Sequence, residues 1–390
     1  ITHRQVMANL TGIAAHGLKL TAQDRFFSWL PFYHDMGLVG LVFTPIAGQR
    51  SVDYLGTREF AMRPRKWLDI MSANRNTIAF SPPFGFELVA RRVRPTDVAH
   101  YDLSAWRIAG VGAETIPPRV LEHFAQVLAP AGFDARSFVP CYGMAEAALA
   151  ITFAPLGQGC AVDVVDADAL ARDTVARPAV PGARSAVFTD CGHVLPDHAV
   201  QIRDASGRAV PPRTVGSVHV RGPSVMRGYF SAPAETAAAL DDHGWLNTGD
   251  IGYQTETGTL VVTGRAKDIF IINGRNVWPQ DLEALAESQP ELRPEDSSAF
   301  AVPGPDGADM AVLVVQCREA DPVRRRALVE RIVSLVQTEH GIRVFVELVP
   351  PHTLPRTSSG KLSRSGARRD FLARNAAQTG ADAARTVAVS

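Results

Sequence analysis

An alternation of short apolar runs with helical segments over residues 1–150 constrains the fold most strongly. Residues 26–30 form an apolar run that ends at Pro31, and residues 106–111 form a compact strand pattern that ends in Gly-Ala-Glu. Residues 117–128 place their Val, Leu and Phe side chains on one face at helical spacing. Strands that alternate with helices predict an α/β fold with a mostly parallel sheet.

The remaining sequence predicts further structural units. Residues 157–192 are rich in Asp, Ala, Pro and Gly without a sustained period, and we interpret them as an insertion or surface excursion. Residues 194–262 alternate short strands with Gly/Pro turns, which is typical of a small β-subdomain. We therefore expect a large domain over 1–263, a small α+β domain over 264–374, and a loosely held Ala-rich tail over 375–390.

Composition excludes several classes of protein. Lys plus Arg equals Asp plus Glu, 40 residues each, so no overall charge favours nucleic acid. Four scattered cysteines argue against a disulfide framework or zinc site and indicate a cytoplasmic protein. The longest apolar run, residues 37–48, is too short for a membrane span. The chain begins at Ile1 in a pattern typical of mid-domain sequence, so we expect a fragment of a longer protein.

Residues 245–276 combine two kinds of chemistry. Asp250 lies in a Thr-Gly-Asp sequence that predicts a turn, where its carboxylate could accept hydrogen bonds from the vicinal hydroxyls of a ribose. An ordinary β-turn Asp is the alternative. Residues 264–268 then place alternating charges between two apolar strands, where each charge needs a partner or solvent. Such a charged joint indicates a boundary between domains.

Five short motifs occur in one order along the chain. They are Tyr-His-Asp-Met-Gly at 33–37, Gly-Ala-Glu at 112–114, Tyr-Gly-Met-Ala-Glu at 142–146, Thr-Gly-Asp at 248–250, and the segment from Gly264-Arg265 through Lys361. Together they resemble the adenylate-forming ligases, and the sequences that flank these motifs are most similar to those of the fatty acyl-AMP ligases. The resemblance implies a large nucleotide-binding domain, here incomplete, followed by a small mobile α+β domain.

The resemblance also implies an ATP- and Mg²⁺-dependent ligase. Glu146 would hold Mg²⁺ near the triphosphate, because carboxylate oxygens suit that ion. A Glu that serves only a helix dipole is the alternative for this position. Tyr142 and Gly143 would lie against the adenine. Gly112, Ala113 and Glu114 would line the adenine pocket, although the same residues could form a plain strand-to-helix turn.

Four more residues receive roles from the same resemblance. His34 would position the acyl substrate beside its tunnel, with a purely structural histidine as the alternative. Arg265 would touch ribose or phosphate. Lys267 falls at the hinge about which the small domain rotates, unless it is a solvated surface lysine. Lys361, in a Ser/Thr/Gly loop, would offset the negative charge that accumulates as a carboxylate approaches the α-phosphate.

One departure from the family pattern concerns phosphate binding. The Ser/Thr/Gly-rich loop that grips the β- and γ-phosphates is not in this sequence, and residues 1–4 resemble the segment that follows it. We therefore expect this chain by itself to be poorly active or inactive.

The acyl acceptor is open between two choices. The region 157–192 lies where fatty acyl-AMP ligases carry an insertion that restrains the small domain, which favours transfer of a fatty acyl group to an acyl carrier protein or to a carrier domain of a polyketide or peptide synthetase. An acyl-CoA ligase is the nearest alternative. A non-catalytic remnant that binds nucleotide without turnover is the alternative from another class.

Overall fold

The computed structural model describes residues 1–272, 274–304, 309–357 and 362–387, with side chains described up to residue 375. The chain divides into two compact units, Ile1–Gly264 and Arg265–Ser390. Among the helices of the described residues, none combines the length and apolar character needed to cross a bilayer.

The strands up to this boundary are short. They are β1 (Arg25–Ser28), β2 (Ser51–Tyr54), β3 (Ile78–Ser81), β4 (Ile108–Val111), β5 (Phe138–Gly143), β6 (Ala150–Phe153), β7 (Val162–Asp166), β8 (Ser185–Thr189), β9 (His193–Val194), β10 (Ala199–Arg203), β11 (Gly216–Arg221), β12 (Leu246–Gln254) and β13 (Leu260–Arg265). The helices are α1 (His3–Thr11), α2 (Thr44–Gly48), α3 (Thr57–Met62), α4 (Arg65–Asn74), α5 (Pro83–Arg92), α6 (Pro95–Val98), α7 (Pro118–Leu128), α8 (Ala167–Asp173) and α9 (Pro233–Ala239).

The main sheet of the first unit has the strand order β2-β1-β3-β4-β5-β6-β9. The strands from β2 to β5 run parallel, which confirms the predicted α/β class. β6 runs antiparallel to β5 because only six residues connect them, too few for the crossover that a parallel pair requires. β9 is antiparallel to β6.

An aromatic core lies beneath this sheet. The face of α7 predicted to be apolar is buried through Val120, Leu121, Phe124 and Leu128. Phe124 packs edge-on against Phe86, with ring centroids 5.0 Å apart, and both side chains are fully buried. Such ring pairs add about 0.5–1.5 kcal/mol each beyond the burial of their area. The core thereby fixes the strands whose carboxyl ends carry the candidate site.

The region 157–192, interpreted from its sequence as an insertion or surface excursion, contains regular structure. β7 and β8 pair antiparallel with Val164 opposite Val187, and α8 lies in the connection between them. Asp166 caps α8, because its Oδ1 accepts hydrogen bonds from the amides of Asp168 and Ala169 at 2.8 and 3.0 Å. Some of the acidic residues that suggested a loop are therefore helix caps and strand partners.

A second sheet has the strand order β10-β11-β12-β13. β11 pairs antiparallel with both β10 and β12. The apolar face of this sheet packs on the β5–β6 connection in one cluster. Its members include Ala147, Ile151, Val218, Val220 and Leu246. The cluster brings β12 to the end of β5.

The second unit is a smaller α+β body. Its strands are β14 (Phe270–Ile272), β15 (Arg275–Val277), β16 (Ser297–Pro303), β17 (Asp309–Gln316) and β18 (Val344–Val349), and its helices are α10 (Pro279–Glu287), α11 (Pro322–His340) and α12 (Arg364–Val387). β17 pairs antiparallel with β16 and parallel with β18. Asp321 caps α11, because its side chain accepts a hydrogen bond from the amide of Val323 at 2.8 Å.

Candidate active site

The carboxyl ends of β4 and β5 meet at one edge of the main sheet. Gly112, directly after β4, lies against β5, since a Cβ atom there would come within 2.9 Å of the Cys141 carbonyl oxygen. Ala113 follows with φ +71°, a conformation that costs a non-glycine residue energy and that recurs at ligand sites. Glu114 Oε1 accepts a long 3.5 Å hydrogen bond from the amide of Phe84 at the start of α5. The structure thus brings the Gly-Ala-Glu segment beside the end of β5, at the edge where open α/β sheets bind ligands.

The connection between β5 and β6 carries Glu146. Only glycine fits at position 143, because the backbone of Leu149 passes so close that a Cβ atom would lie 1.8 Å from the Leu149 carbonyl oxygen. The amide of Met144 donates to that same oxygen at 2.7 Å. The chain reverses in a 3₁₀ turn over Ala145–Ala147. Tyr142 and Gly143 are therefore the last residues of β5, and the reversal follows them.

Tyr142 and Asp250 are joined by a hydrogen bond. The Tyr142 hydroxyl donates to Asp250 Oδ2 at 2.6 Å, and Asp250 is only 6% exposed. A hydrogen bond to an ionised acceptor is about twice as strong as one between neutral groups. Two residues assigned separately to adenine and ribose are therefore neighbours.

Asp250 lies within a strand, and the predicted Thr-Gly-Asp turn is wrong. Ser217 and His219 of β11 pair with Ile251 and Asn247 of β12, so Val218 alone faces the three residues 248–250. The extra residues form a bulge, which Gly249 permits with φ +73°. The Thr248 hydroxyl closes it by donating to the Val218 carbonyl oxygen at 2.9 Å. Bulges re-aim side chains, and this one directs Asp250 toward Tyr142.

Glu146 is held by the loop between β11 and α9. The Tyr229 hydroxyl donates to Glu146 Oε1 at 2.9 Å, and the amide of Met226 donates to the Glu146 carbonyl oxygen at 2.6 Å. Partial burial, together with the hydrogen bond and charge of Glu146, raises the pKa of Tyr229. Tyr229 is not predicted from the sequence, because its only local signal is a Gly-Tyr pair in a Ser/Pro/Gly-rich loop.

Carboxylates are sparse around this turn. In the described parts of the chain, no three His, Cys, Asp or Glu side chains come together as a set of metal ligands. A cation at Glu146 would therefore take most of its ligands from water and from a bound substrate. Mg²⁺ commonly binds in this way, through one or two carboxylates plus phosphate oxygens.

His34 follows β1 and precedes a π-helical segment, Met36–Phe43. Its Nδ1 lies 2.7 Å from Asp35 Oδ1, so the ring is oriented by its neighbour. The segment turns tightly, since a Cβ atom at Gly37 would lie 2.2 Å from the Pro31 carbonyl oxygen. The histidine side chain is partly exposed.

Arg265 and Lys267 belong to the second unit, and both side chains are exposed. The Arg265 carbonyl oxygen accepts from the amides of Asp268 and Ile269 at 3.0 and 3.2 Å, which closes a tight turn around Lys267. Asp268 is paired with Arg364 of α12 at 2.8 Å. Lys361 lies outside the described residues.

Comparison with known proteins agrees with this architecture. The family model of AMP-binding enzymes matches residues 1–230. The chain is 47% identical over 375 residues to a putative acyl-CoA synthetase of Caulobacter vibrioides, covering 96% of this chain and 65% of the relative. It is 33% identical over 386 residues to a medium-chain-fatty-acid–[acyl-carrier-protein] ligase of Moorena producens, covering 95% of this chain and 65% of the relative.

A solved structure gives the same result at the level of the fold. A chain from structural and functional studies of fatty acyl-adenylate ligases from E. coli and L. pneumophila superposes with a TM-score of 0.91 at 46% identity, over 97% of this chain and 68% of that one. The chain therefore belongs to the family of AMP-binding enzymes. Within that family its relatives include fatty acyl-adenylate ligases, which confirms the resemblance and the adenylate-forming ligase fold. The chain spans 65% of the length of the two curated relatives described above.

Proposed function

We propose that the protein uses ATP to activate a fatty acid as its acyl-adenylate and passes the acyl group to an acyl carrier protein. One observation carries the proposal: a single strand end and turn bear Tyr142 and Glu146, and Asp250 is hydrogen-bonded to that tyrosine. An aromatic ring, a metal-binding carboxylate and a ribose-binding carboxylate are the groups that an adenine nucleotide with its cation requires. The fatty-acid ligases among the relatives support the acyl substrate.

The nucleotide would bind at the carboxyl edge of the main sheet. Adenine would lie against Tyr142, bounded by Gly112, Ala113 and Glu114, and the ribose hydroxyls would donate to Asp250. Gly143 keeps the backbone close enough to β6 for the tyrosine to stay in place. This arrangement would place the α-phosphate near Glu146, which lies four residues beyond Tyr142 in sequence.

The reaction joins a carboxylate oxygen of the fatty acid to the α-phosphorus of ATP, while the bond to the β-phosphate breaks and pyrophosphate leaves. Mg²⁺, when bound, offsets phosphate charge during this displacement. Glu146 fits that ion through its carboxylate oxygens, with water and phosphate supplying the other ligands. His34 would position the acyl chain, Arg265 would contact ribose or phosphate, and Lys361 would bridge the reacting oxygens.

Region 157–192, interpreted as the insertion of fatty acyl-AMP ligases, is the basis for the proposed acyl acceptor. Arg213 fastens region 157–192 to the β-subdomain, because its Nη1 binds Asp163 Oδ2 at 2.9 Å and the carbonyl oxygen of Ala176 at 2.9 Å. Tyr253, fully buried, donates to the same Asp163 oxygen at 2.7 Å. In fatty acyl-AMP ligases such an insertion restrains the small domain, which would rotate about Lys267, and on that resemblance a carrier protein is favoured over CoA. The relative named as an acyl-CoA synthetase keeps CoA as the alternative acceptor.

Two assays on the full-length protein test this proposal. Release of pyrophosphate that depends on both ATP and a fatty acid, with acyl-adenylate identified by mass spectrometry, is expected. Addition of a phosphopantetheinylated acyl carrier protein should then yield acylated carrier, whereas CoA should yield little acyl-CoA. Rapid acyl-CoA formation would favour the CoA ligase, and nucleotide binding without any adenylate would favour a non-catalytic role.

A further inference from the structure

We propose that Tyr229 is a positioning residue that orients the Glu146 carboxylate for the Mg²⁺ ion that accompanies ATP. The inference rests on the proposed function, since it assigns a task within the nucleotide site. It adds a residue that lies 83 positions away in sequence and on another element.

The loop between β11 and α9 holds Glu146 at two points. The amide of Met226 binds its backbone oxygen at 2.6 Å, and the Tyr229 hydroxyl binds its side-chain oxygen Oε1 at 2.9 Å. Because the backbone carbonyl and the side chain of Glu146 are both hydrogen-bonded, its carboxylate has one main orientation. Because Oε1 accepts from the tyrosine, Oε2 can be presented to a cation.

Tyr229 is itself fixed by α9. Its amide donates to Thr236 Oγ1 at 2.9 Å, and that hydroxyl donates to the carbonyl oxygen of Ala232 at 2.8 Å. Gly228 makes this approach possible with φ +152°, since a Cβ atom there would lie 2.6 Å from the Thr236 methyl carbon. The tyrosine ring therefore leaves the loop in a defined direction.

The opposite end of the loop is anchored to the body of the first unit. The side-chain amide of Gln5 donates to the carbonyl oxygen of Val225. His198 Nε2 lies 2.6 Å from the hydroxyl oxygen of Ser224, which also accepts from Asn9 Nδ2 at 3.3 Å. Because both ends of the loop are held, the loop loses little conformational entropy when substrate binds, and the Tyr229 hydroxyl already contacts Glu146.

The coordination chemistry of Mg²⁺ explains why the hydrogen bond from Tyr229 to Glu146 would affect metal binding. Mg²⁺ demands near-octahedral geometry and short metal–oxygen distances, so a misoriented carboxylate binds it poorly. Residues that hydrogen-bond a metal-binding carboxylate commonly change metal affinity when they are removed. The Tyr229 hydroxyl donates its hydrogen bond to Glu146 Oε1, so it can hold that oxygen while Oε2 binds the ion.

The test compares metal affinity with nucleotide affinity. Tyr229→Phe keeps the ring and removes the hydroxyl. Electron paramagnetic resonance would measure binding of Mn²⁺ to the full-length protein saturated with a non-hydrolysable ATP analogue. We expect Mn²⁺ affinity to fall by about tenfold. Affinity for the analogue in EDTA should stay unchanged, because the ring and Asp250 contacts remain.

Tyr101→Phe is the matched control. Tyr101 also bonds a carboxylate, that of Asp69, but it precedes β4 and so lies at the opposite edge of the sheet from Gly112. Its loss should leave Mn²⁺ affinity unchanged.

Equal Mn²⁺ affinity in wild type and Tyr229→Phe would overturn the inference. So would a parallel loss of metal-free nucleotide binding with a lowered Tm, since that pattern describes a purely structural residue. A wild-type protein that binds no nucleotide contradicts the proposed function itself, which is a different result.

Discussion

Tyr142 and Asp250, 108 residues apart in sequence, are joined by a 2.6 Å hydrogen bond between the phenol hydroxyl and Oδ2. Tyr142 ends a strand of the main sheet, whereas Asp250 lies in the bulge of the second sheet. The bond therefore crosses from one sheet to the other at the candidate nucleotide site. Adenine and ribose binding should depend on one another through it.

A double-mutant cycle measures this dependence. Tyr142→Phe removes the donor while keeping the ring, so it should weaken ATP binding by about 1 kcal/mol. Asp250→Ala should weaken binding more, and the double variant should show a coupling energy of about 1 kcal/mol in ATP affinity measured by calorimetry. Tyr54→Phe, which loses a hydroxyl bonded to the Leu41 carbonyl oxygen, is the control. Strictly additive effects would contradict the coupling.

Lys361 should affect one half-reaction only. Lys361→Ala should lower acyl-adenylate formation by about 10²–10³-fold, because the variant lacks the cation that offsets charge in the transition state. Transfer from synthetic acyl-adenylate to the carrier protein should persist. Lys66→Ala, which changes a lysine of α4 paired with Glu59, should leave both steps intact. An equal loss of acyl-adenylate formation and of acyl transfer would contradict a role for Lys361 in adenylate formation alone.

Arg213 should stabilise the first unit through the insertion. Arg213→Ala leaves Asp163 without its cation and should lower the free energy of unfolding by about 1–3 kcal/mol in urea titrations. Arg177→Ala, which breaks an exposed pair with Asp173, should change it by less than about 0.5 kcal/mol.

The Arg213→Ala variant also reports on the acceptor. If a fastened insertion disfavours CoA, the variant should form more acyl-CoA than the wild type does. An unchanged ratio of acyl-CoA to acylated carrier protein would show that the Arg213 contacts do not influence the choice of acceptor.

Glu287 predicts a pH dependence in the second unit. Burial, with Glu283 nearby, raises the pKa of Glu287 from 4.5 to about 7. The folded state therefore binds this proton more tightly than the unfolded state does, so stability is greatest at low pH and falls as pH rises from about 4.5 to about 7. Glu287→Gln should abolish this fall and add about 3 kcal/mol at pH 8.

Amide exchange of β16 and β17 would measure that effect. The glutamine oxygen can still accept from the amide and hydroxyl of Ser297, which donate to Glu287 Oε1 at 3.1 and 2.7 Å. Glu330→Gln, an exposed position of α11, should leave the pH dependence as it is. A Glu287→Gln variant with the wild-type pH profile would show that another group titrates.

Local signals predicted much of the fold. α10 begins at Pro279 and α11 at Pro322 because proline at the first helical position and a capping Asp321 act within one turn. The buried face of α7 follows from spacing alone. The order of the motifs along the chain needed no more than the sequence.

Features set by distant residues were not predictable. Gly249 between Thr248 and Asp250 has the local pattern of a turn, and only pairing with β11 makes it a bulge. The antiparallel strand pair in region 157–192 places Val164 opposite Val187, and no local period reveals that register. Tyr229 likewise gains its place from a contact with Glu146, far away in sequence.

The loop between β11 and α9 also sets where related chains can be recombined. A chimera that exchanges residues 194–262 alone would take Asp250 and Tyr229 from one parent and Tyr142 and Glu146 from the other. Small differences in backbone position between parents would then fall on two hydrogen bonds of the same site. Crossovers before β5 and after β13 keep these pairs together, so libraries built with those junctions should retain more functional members.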